Sequence, residues 1–296
     1  MIFKRHKWAI AYSLALIAFT GYLAVDTFAI SRVYTVVETE QSNTDNSSSC
    51  DNVVSTQTAY SDDNVTISLT EYREYDTSIY VADVQISSPE YLKTALAQNA
   101  YGRNVTEKTS EMAQNNNAIL AINGDYYGAQ ESGYVIRNGV IYRDTASAGQ
   151  EDLVIYQDGS LDIVQEDAVT AQELLDNGAQ QVLSFGPALL ENSTISVSQS
   201  EEVGKAKASN SRTAIGILDD LHYVFVVSDG RTSESAGLSL YQIAEFMQSL
   251  GTKTAYNLDG GGSSAMYFNG KIVNNPTTNG NTIQERSVSD IVYIGQ

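Results

Sequence analysis

Apolar and polar residues alternate through much of this chain with the two-residue period of β-strands. Other short runs are apolar throughout, which is typical of strands buried on both faces. The predicted strands cover residues 65–69, 79–86, 118–122, 212–217, 223–228, 254–258 and 288–294. Asn138-Gly139 and Asn269-Gly270 each lie between short apolar runs, and an Asn-Gly pair in that setting predicts a β-hairpin turn.

One helix is clearly predicted between two of these strands. Ser239 and Gln242 have the spacing of a capping box, apolar residues recur at helical spacing after them, and Gly251 supplies a C-terminal stop. The pattern predicts a helix over residues 240–250, and we expect it to connect the flanking strands as a parallel pair. Shorter helices are predicted over residues 106–115 and between residues 170 and 178.

Three carboxylates directly follow predicted strands. Asp229 and Asp259 come after the two strands of the crossover, so both should lie at the sheet edge where ligands of α/β folds bind. Asp125 follows a third apolar run and fits the same rule. The alternative for any one of them is an ordinary turn, as we predict for Asp158 in a hairpin. We expect all three carboxylates to share one pocket.

Three consecutive glycines follow Asp259. Gly260, Gly261 and Gly262 leave backbone N–H groups uncovered, so the loop can approach an anion closely. Ser263 comes next and is interpreted as a phosphate or sugar ligand. The loop lacks the Gly-Lys-Ser/Thr ending of a nucleotide-binding P-loop, which argues against an NTPase.

The formal net charge of the chain is −19, which argues against nucleic acid and anionic lipid as bulk partners. An anionic ligand would need locally placed cations, and Arg212, Arg231 and Arg286 are the candidates within motif-like segments. The alternative is that these arginines form structural ion pairs with the many acidic residues.

The N-terminal segment predicts a membrane anchor. Basic residues precede an uncharged, mostly apolar run at 8–25, which is long enough to cross most of a bilayer. A cleaved signal peptide is the alternative. We predict a cytosolic flank and anchor over residues 1–30, a flexible extracellular spacer over 31–63 and one catalytic domain over 64–296. Cys50 lies in the spacer and has no partner for an internal disulfide.

Histidine and cysteine chemistry is excluded by the inventory. His6 is on the cytosolic side, and His222 begins the strand that ends before Asp229, so Ser263 lacks a histidine base. Zinc sites built on His and Cys are excluded by the same counts. Carboxylate chemistry remains, and Asp with Arg and a glycine loop suits a sugar-1-phosphate diester. No cofactor is predicted, although a divalent cation such as Ca²⁺ or Mg²⁺ is a competing use of these carboxylates.

Six segments occur in the order found in the phosphodiester glycosidase domain, which this chain resembles from about residue 65 to residue 295. They are residues 121–127, 211–216, 229–231, 237–240, 255–264 and 286–290. The resemblance implies hydrolysis of an N-acetylglucosamine-1-phosphodiester or a related sugar phosphodiester. It points to Asn123, Asp125, Arg212, Asp229, Arg231, Asp259, Gly260, Gly261, Gly262, Ser263 and Arg286 as site residues, and we place Tyr126 beside them.

The sequence therefore predicts a mixed α/β (α+β) domain with a partly parallel sheet, a strand-end active site and peripheral hairpins, after a transmembrane helix. Our functional hypothesis is an extracellular, membrane-anchored hydrolase that acts on teichoic-acid-like or capsular phosphodiesters. Asp125, Asp229, Asp259, Arg212 and Arg231 are its predicted catalytic residues. The alternative is a non-catalytic envelope module that binds anionic glycans or a divalent cation through the same residues.

Overall fold

A computed structural model describes residues 7–37, 53–200 and 209–295 of the protein. The α-helices of these residues are α1 (Lys7–Phe28), α2 (Thr109–Asn115), α3 (Ala171–Asp176) and α4 (Leu240–Ser249). Short 3₁₀ helices cover Pro89–Tyr91, Ala97–Asn99, Tyr127–Ala129 and Gly261–Ser263.

Most of the described residues outside α1 are in short strands or the turns between them. The strands of the first half are β1 (Arg32–Val36), β2 (Val54–Ser55), β3 (Ala59–Ser61), β4 (Val65–Glu74), β5 (Thr77–Ile86), β6 (Leu92–Leu96), β7 (Ala100–Arg103), β8 (Glu107–Lys108), β9 (Ala118–Asn123), β10 (Val135–Arg137) and β11 (Val140–Arg143). The strands of the second half are β12 (Glu151–Tyr156), β13 (Leu161–Gln165), β14 (Ala179–Leu183), β15 (Ala188–Glu191), β16 (Thr194–Ile195), β17 (Thr213–Asp219), β18 (His222–Ser228), β19 (Thr254–Leu258), β20 (Met266–Phe268), β21 (Lys271–Ile272), β22 (Ser287–Val288) and β23 (Asp290–Gly295).

The strands form three large sheets. A nine-stranded sheet has the order β16-β15-β19-β17-β18-β5-β4-β3-β2, and two five-stranded sheets have the orders β21-β20-β9-β23-β6 and β11-β10-β14-β12-β13. Two further pairs, β1-β7 and β22-β8, complete the arrangement of the described residues. The result is the expected single domain of mixed α and β structure, rich in strands and with few helices.

The predicted parallel pair is wrong. Strands β18 and β19 both pair with β17 in antiparallel register, so they run in the same direction but do not touch as neighbours. Every strand pairing within the described residues is antiparallel. The strand predicted over residues 212–217 is observed as β17. It lies between β18 and β19, the two strands that were expected to pair directly. The carboxyl ends of β18 and β19 nevertheless lie at one edge of the sheet, together with the first residue of β17.

The central strands of the nine-stranded sheet are buried on both faces. In β18, Tyr223, Phe225 and Val227 join a core shared with the two five-stranded sheets, whereas Val224 and Val226 face the layer that contains α4. Every residue in this part of β18 is apolar, but successive side chains point to opposite faces of the sheet. The strand therefore contributes to two different cores. Helix α4 begins with the predicted capping box, since the Ser239 hydroxyl accepts from the Gln242 N–H and the Gln242 side chain accepts from the Ser239 N–H.

Several local predictions are confirmed by the strand pairing. Strands β10 and β11 form the hairpin around Asn138, and strands β20 and β21 form the hairpin around Asn269. Both asparagines have positive φ, as this turn requires. Strands β12 and β13 form the hairpin predicted around Asp158. Helix α2 is shorter than predicted because residues 107–108 pair with β22 as strand β8 instead.

The N-terminal helix is long and apolar enough to cross a membrane over Ala11–Phe28, and none of that stretch is buried. The segment predicted as a spacer contains β1, β2 and β3, each paired with a neighbouring strand. At these strands the prediction of a flexible spacer is therefore corrected. Residues 38–52, including Cys50, lie outside the described residues.

Candidate active site

Asp259 lies immediately after β19, at the start of the glycine loop. Its Oδ1 accepts a hydrogen bond from the Gly260 N–H at 2.9 Å. Burial raises the pKa of Asp259 to about 6, against the opposing effects of a hydrogen bond from Ser263 and the positive charge of Arg286. A carboxyl group with a pKa raised toward neutrality, next to a glycine loop, is a candidate for acid–base chemistry.

Two guanidinium groups flank the glycine loop. A Cβ built at Gly261 would lie 2.6 Å from Nη2 of Arg231, and one built at Gly262 would lie 3.0 Å from Nη2 of Arg286. Gly261 also has a φ of +64°, so both its conformation and its neighbour favour glycine. Burial and the like charge of Arg286 lower the pKa of Arg231, while Asp259 opposes that effect. The loop, two cations and one carboxylate therefore converge as predicted.

Arg231 is held in place by neutral oxygen atoms. Its Nε donates to Oδ1 of Asn210 at 2.8 Å, and its Nη1 donates to the carbonyl oxygen of Thr278 at 2.7 Å. Thr278 belongs to the loop that also carries Arg286, which lines a cavity of about 320 Å³ with Asn279 and Thr282. Both arginines thus depend on one loop, residues 273–286, for their placement at the site.

The Asn123 side chain binds the backbone of Asp259. Its Nδ2 donates to the carbonyl oxygen of Asp259 at 2.6 Å, and its Oδ1 accepts from the Thr213 hydroxyl at 2.8 Å and from the Ala265 N–H at 3.2 Å. The side chain is fully buried. Asn123 was predicted to bind substrate, but these contacts make it a positioning residue that joins the ends of β9, β17 and β19.

Asp125 is near Asp259 but is committed to a buried ion pair. Its Oδ2 lies 2.8 Å from Nη2 of Arg137, and the same nitrogen lies 2.6 Å from Oδ2 of Asp290. Asp125 also accepts from the backbone N–H groups of Tyr127 and Ser184. Burial lowers the pKa of Arg137, but the nearby Asp125 and Asp290 raise it by more. The pKa of Arg137 therefore lies above its usual value. Asp125 therefore has a structural partner that the sequence did not reveal.

The buried ionic cluster carries one more negative than positive charge. Burial, followed by the charge of Asp125, raises the pKa of Asp290 to about 8, and Oδ1 of Asp290 has no hydrogen-bond partner. A proton on Asp290 would remove the excess charge. A second acidic pair lies close by, where burial and the charge of Glu166 raise the pKa of Asp152 to about 10. Burial beside a second acidic side chain thus favours the neutral form of Asp152.

Asp229 is held by residues at the start of the loop that carries Arg286. It is among the residues lining a cavity of about 560 Å³, which also include Arg73, Thr232, Ser235 and Ile283. Its carboxylate accepts from the N–H and Nδ2 of Asn275 at 2.8 and 3.1 Å, and from the Tyr80 hydroxyl at 3.3 Å. Asp229 organises the start of the loop that carries Thr278 and Arg286.

Arg212 and Tyr126 complete the predicted set. Arg212 is buried at the start of β17, where its Nε donates to the carbonyl oxygen of Leu238 at 2.9 Å and its N–H donates to the Ser228 hydroxyl at 2.9 Å. Tyr126 is 47% exposed and lies between Asp125 and the buried Tyr127. Tyr126 is therefore available to a ligand, while Arg212 supports the edge from which Asp229 emerges.

Several predicted site residues are bound by side chains that the sequence did not identify. Arg137 pairs with Asp125, Asn210 holds Arg231, and Asn274 and Asn275 hold Asp229. The Asn274-Asn275 pair before Pro276 was a local signal of an ordered turn, but Arg137 carried none. Within residues 7–37, 53–200 and 209–295, no group of three or more His, Cys, Asp or Glu side chains is arranged to hold a metal ion.

Two kinds of relative match the chain in sequence. The SPbeta prophage-derived protein YomE of Bacillus subtilis (strain 168) is 31% identical over 180 residues, which is 59% of this chain and 28% of YomE. The N-acetylglucosamine-1-phosphodiester alpha-N-acetylglucosaminidase of Mus musculus is 27% identical over 175 residues, which is 53% of this chain and 33% of the mouse protein. The chain therefore matches about a third or less of the length of these relatives.

A solved structure shares the fold. The catalytic domain of the zebrafish N-acetylglucosamine-1-phosphodiester alpha-N-acetylglucosaminidase, auto-inhibited by its pro-peptide, aligns with a TM-score of 0.63 at 19% identity and covers 90% of this chain and 88% of the zebrafish chain. A protein from Synechocystis aligns with a TM-score of 0.56 at 14% identity and covers 79% of this chain and 62% of that chain. Residues 116–295, which contain most of the site, match the model of the phosphodiester glycosidase family. The chain belongs to the phosphodiester glycosidase family.

Proposed function

We propose that this protein is a membrane-anchored hydrolase of sugar-1-phosphodiester bonds, with its catalytic domain outside the cell. The substrates we propose are N-acetylglucosamine-1-phosphodiester-like linkages in cell-surface polysaccharides or teichoic-acid-like polymers. One observation carries the proposal. A carboxyl group that titrates near neutral pH, Asp259, lies beside a glycine loop that is flanked by Arg231 and Arg286.

The proposed reaction breaks the bond between the anomeric carbon and the phosphate oxygen. The Asp259 carboxylate acts either as the nucleophile or as the base that removes a proton from attacking water. The sugar gains the hydroxyl group of water, and the phosphate departs with the bonding electron pair as a phosphomonoester. Arg231 and Arg286, with the N–H groups of the glycine loop, would stabilise the charge on that phosphate.

The other predicted residues have supporting roles in this proposal. Asn123 and Arg212 fix the strand ends, Asp125 anchors the ionic cluster beneath the site, and Asp229 orders the loop that carries Arg286. Ser263 keeps a hydrogen bond to Asp259, and Tyr126 presents an exposed ring to the sugar. Asp259 is the group we place at the reacting carbon, because it combines a raised pKa with nearby cations.

The direct test measures hydrolysis by the full chain in lipid nanodiscs. An N-acetylglucosamine-1-phosphate methyl diester is supplied, and free reducing sugar and methyl phosphate are quantified together. Equal release of both products is expected. Binding of the diester without release of either product would instead support a non-catalytic module and would contradict the hydrolase proposal.

Arg231→Lys is expected to raise KM and lower kcat, each by about tenfold. A lysine ammonium group cannot replace a planar guanidinium group that donates to Asn210 and Thr278 and, in this proposal, also binds the phosphate. Nε and Nη1 of Arg231 already hold Asn210 and Thr278, so a lysine would lose either the loop or the phosphate. Steady-state kinetics on the same diester measures both constants. Arg103→Lys, in the surface ion pair with Glu131, is the matched control and should leave both constants within about twofold.

Gly261→Ala is expected to lower kcat/KM by about tenfold or more and stability by about 1–2 kcal/mol, because its methyl group meets Arg231 and its φ is left-handed. Gly149→Ala separates these causes, since Gly149 has a φ of +71° but nothing within 4 Å of its Cβ position. The control should lose similar stability and retain activity. An equal loss of activity in both variants would show that crowding of Arg231 does not cause the loss.

A further inference from the structure

The end of α1 is bonded directly to the catalytic domain. Helix α1 ends at Phe28 and β1 begins at Arg32. Nδ2 of Asn104, from the loop after β7, donates to the carbonyl oxygens of Thr27 and Ile30, both at 3.1 Å. The Ser31 hydroxyl donates to the carbonyl oxygen of Asn104 at 2.8 Å. Carbonyl groups that a helix end leaves unpaired are thus satisfied by a domain side chain.

Strand pairing continues this connection beyond the helix. Strand β1 pairs in antiparallel register with β7, from Arg32 opposite Arg103 to Val36 opposite Ala100. Gly102 permits the close approach, because a Cβ there would collide with the backbone of Arg32. The helix is therefore joined to the domain by hydrogen bonds along β1 as well as by the chain itself.

The connection exposes a row of apolar side chains. Phe28, Ile30, Val33, Tyr34 and Val36 have 79%, 42%, 52%, 60% and 67% of their surfaces exposed, and we call them the docking face. Nearby charged groups are neutralised in pairs, Asp26 with Arg32 and Arg103 with Glu131. A cluster of exposed apolar side chains within nine residues favours an interaction site, and the paired charges reduce the local repulsion from an anionic bilayer.

The distance to the bilayer decides what covers this face. With α1 as the proposed membrane anchor, the chain leaves the hydrocarbon core near Phe28, and Val36 is only eight residues further along the chain. The strand from Arg32 to Val36 spans about 13 Å at 3.3 Å per residue. The polar interface of one leaflet is only about 5–8 Å thick, so docking of the whole strand requires β1 to lie along the membrane surface rather than to point away from it. Tyrosine is among the residues favoured at that depth.

We propose that the docking face lies in the outer interface of the lipid bilayer and holds the catalytic domain in a fixed orientation on the membrane. This inference rests on the proposed membrane anchor. Its consequence for the proposed hydrolysis is that the enzyme acts on phosphodiesters close to the lipid surface. A long flexible tether would instead let the domain reach polymers far from the membrane.

Tryptophan fluorescence in nanodiscs tests the proposal on the full chain. Trp8 is the only tryptophan of the sequence, so Trp8→Phe provides a silent background. Val33→Trp and Val36→Trp are introduced separately, and Tyr75→Trp, at an exposed position in the turn between β4 and β5, is the control. Brominated phospholipids should quench the two docking-face tryptophans by about twofold or more and leave the control unchanged.

A second variant tests the bonds that hold the face in place. Asn104→Ala removes the donor to Thr27 and Ile30, and it should reduce quenching of the Val36→Trp reporter. Absence of quenching at both reporters, in protein that still co-purifies with nanodiscs, would overturn the docking proposal while leaving the anchor intact. Quenching of the Tyr75→Trp control to the same degree would also overturn the fixed orientation. Diester hydrolysis, measured in parallel, tests the proposed function separately.

Discussion

Asp259→Asn is expected to lower kcat for sugar-1-phosphodiester hydrolysis by about 10³-fold or more, a loss typical of removing a nucleophile or its base. The amide has nearly the same shape as the acid but cannot attack carbon or accept a proton from water. Stability at neutral pH should be retained. The raised pKa means that ionisation of Asp259 costs folding stability as the pH rises from about 4 through about 6, and the amide avoids that cost.

The wild-type pH profile provides an independent check of the same role. A phosphate leaves without strong general-acid help, so Asp259 should be needed in its ionised form. With a pKa of about 6 for that carboxyl group, kcat/KM should fall about tenfold per unit below that pH.

Asp219→Asn, at the opposite end of β17, is the matched control for the Asp259→Asn substitution. An Asp259→Asn enzyme with unchanged turnover would refute the assignment.

Arg137→Met is expected to lower the free energy of unfolding by about 3–5 kcal/mol, because it leaves the buried carboxyl groups of Asp125 and Asp290 without their shared cation. Asp125 and Asp290 are fully enclosed, and Arg137 also donates to the backbone carbonyl oxygens of Ile136 and Val182. Urea denaturation measures the change, with the midpoint and the slope fitted separately.

Two controls separate the buried charge from a general effect of losing an arginine. Arg103→Met breaks the exposed pair with Glu131 and should cost no more than about 1 kcal/mol. Adding Asp125→Asn and Asp290→Asn to Arg137→Met should recover part of the lost stability by removing the stranded carboxylates. A single variant as stable as the wild type would show that Arg137 does not sustain this cluster.

Local sequence signals were sufficient for most of the individual elements. The capping box fixed the start of α4, and Asn-Gly pairs located two hairpins, because both signals act over four residues or fewer. Pairing between distant strands had no comparable signal. The strand after Arg212 was recognised, but nothing in its own residues showed that it would separate β18 from β19.

The candidate site shows the same limit. The glycine loop, Asp259 and the two flanking arginines could be grouped from motifs, and the structure brings them together. Asp125 was interpreted as a catalytic carboxylate because its partner Arg137 lies on a separate hairpin and forms an ion pair that sequence spacing does not encode. Asp229 was grouped with Asp259 because strand direction brings the carboxyl ends of β18 and β19 to one edge, but strand direction does not show that Asn275 and Tyr80 bind the Asp229 carboxylate.

The position of β23 has a consequence for how the protein is made. This strand lies between β9 and the edge strand β6 of its sheet, and its first residue is Asp290. Ribosomes must therefore deliver residues 290–295 before that sheet can close and before Arg137 meets its second carboxylate. Until then the nascent domain carries an open sheet, and its completion has to follow synthesis of nearly the whole described chain.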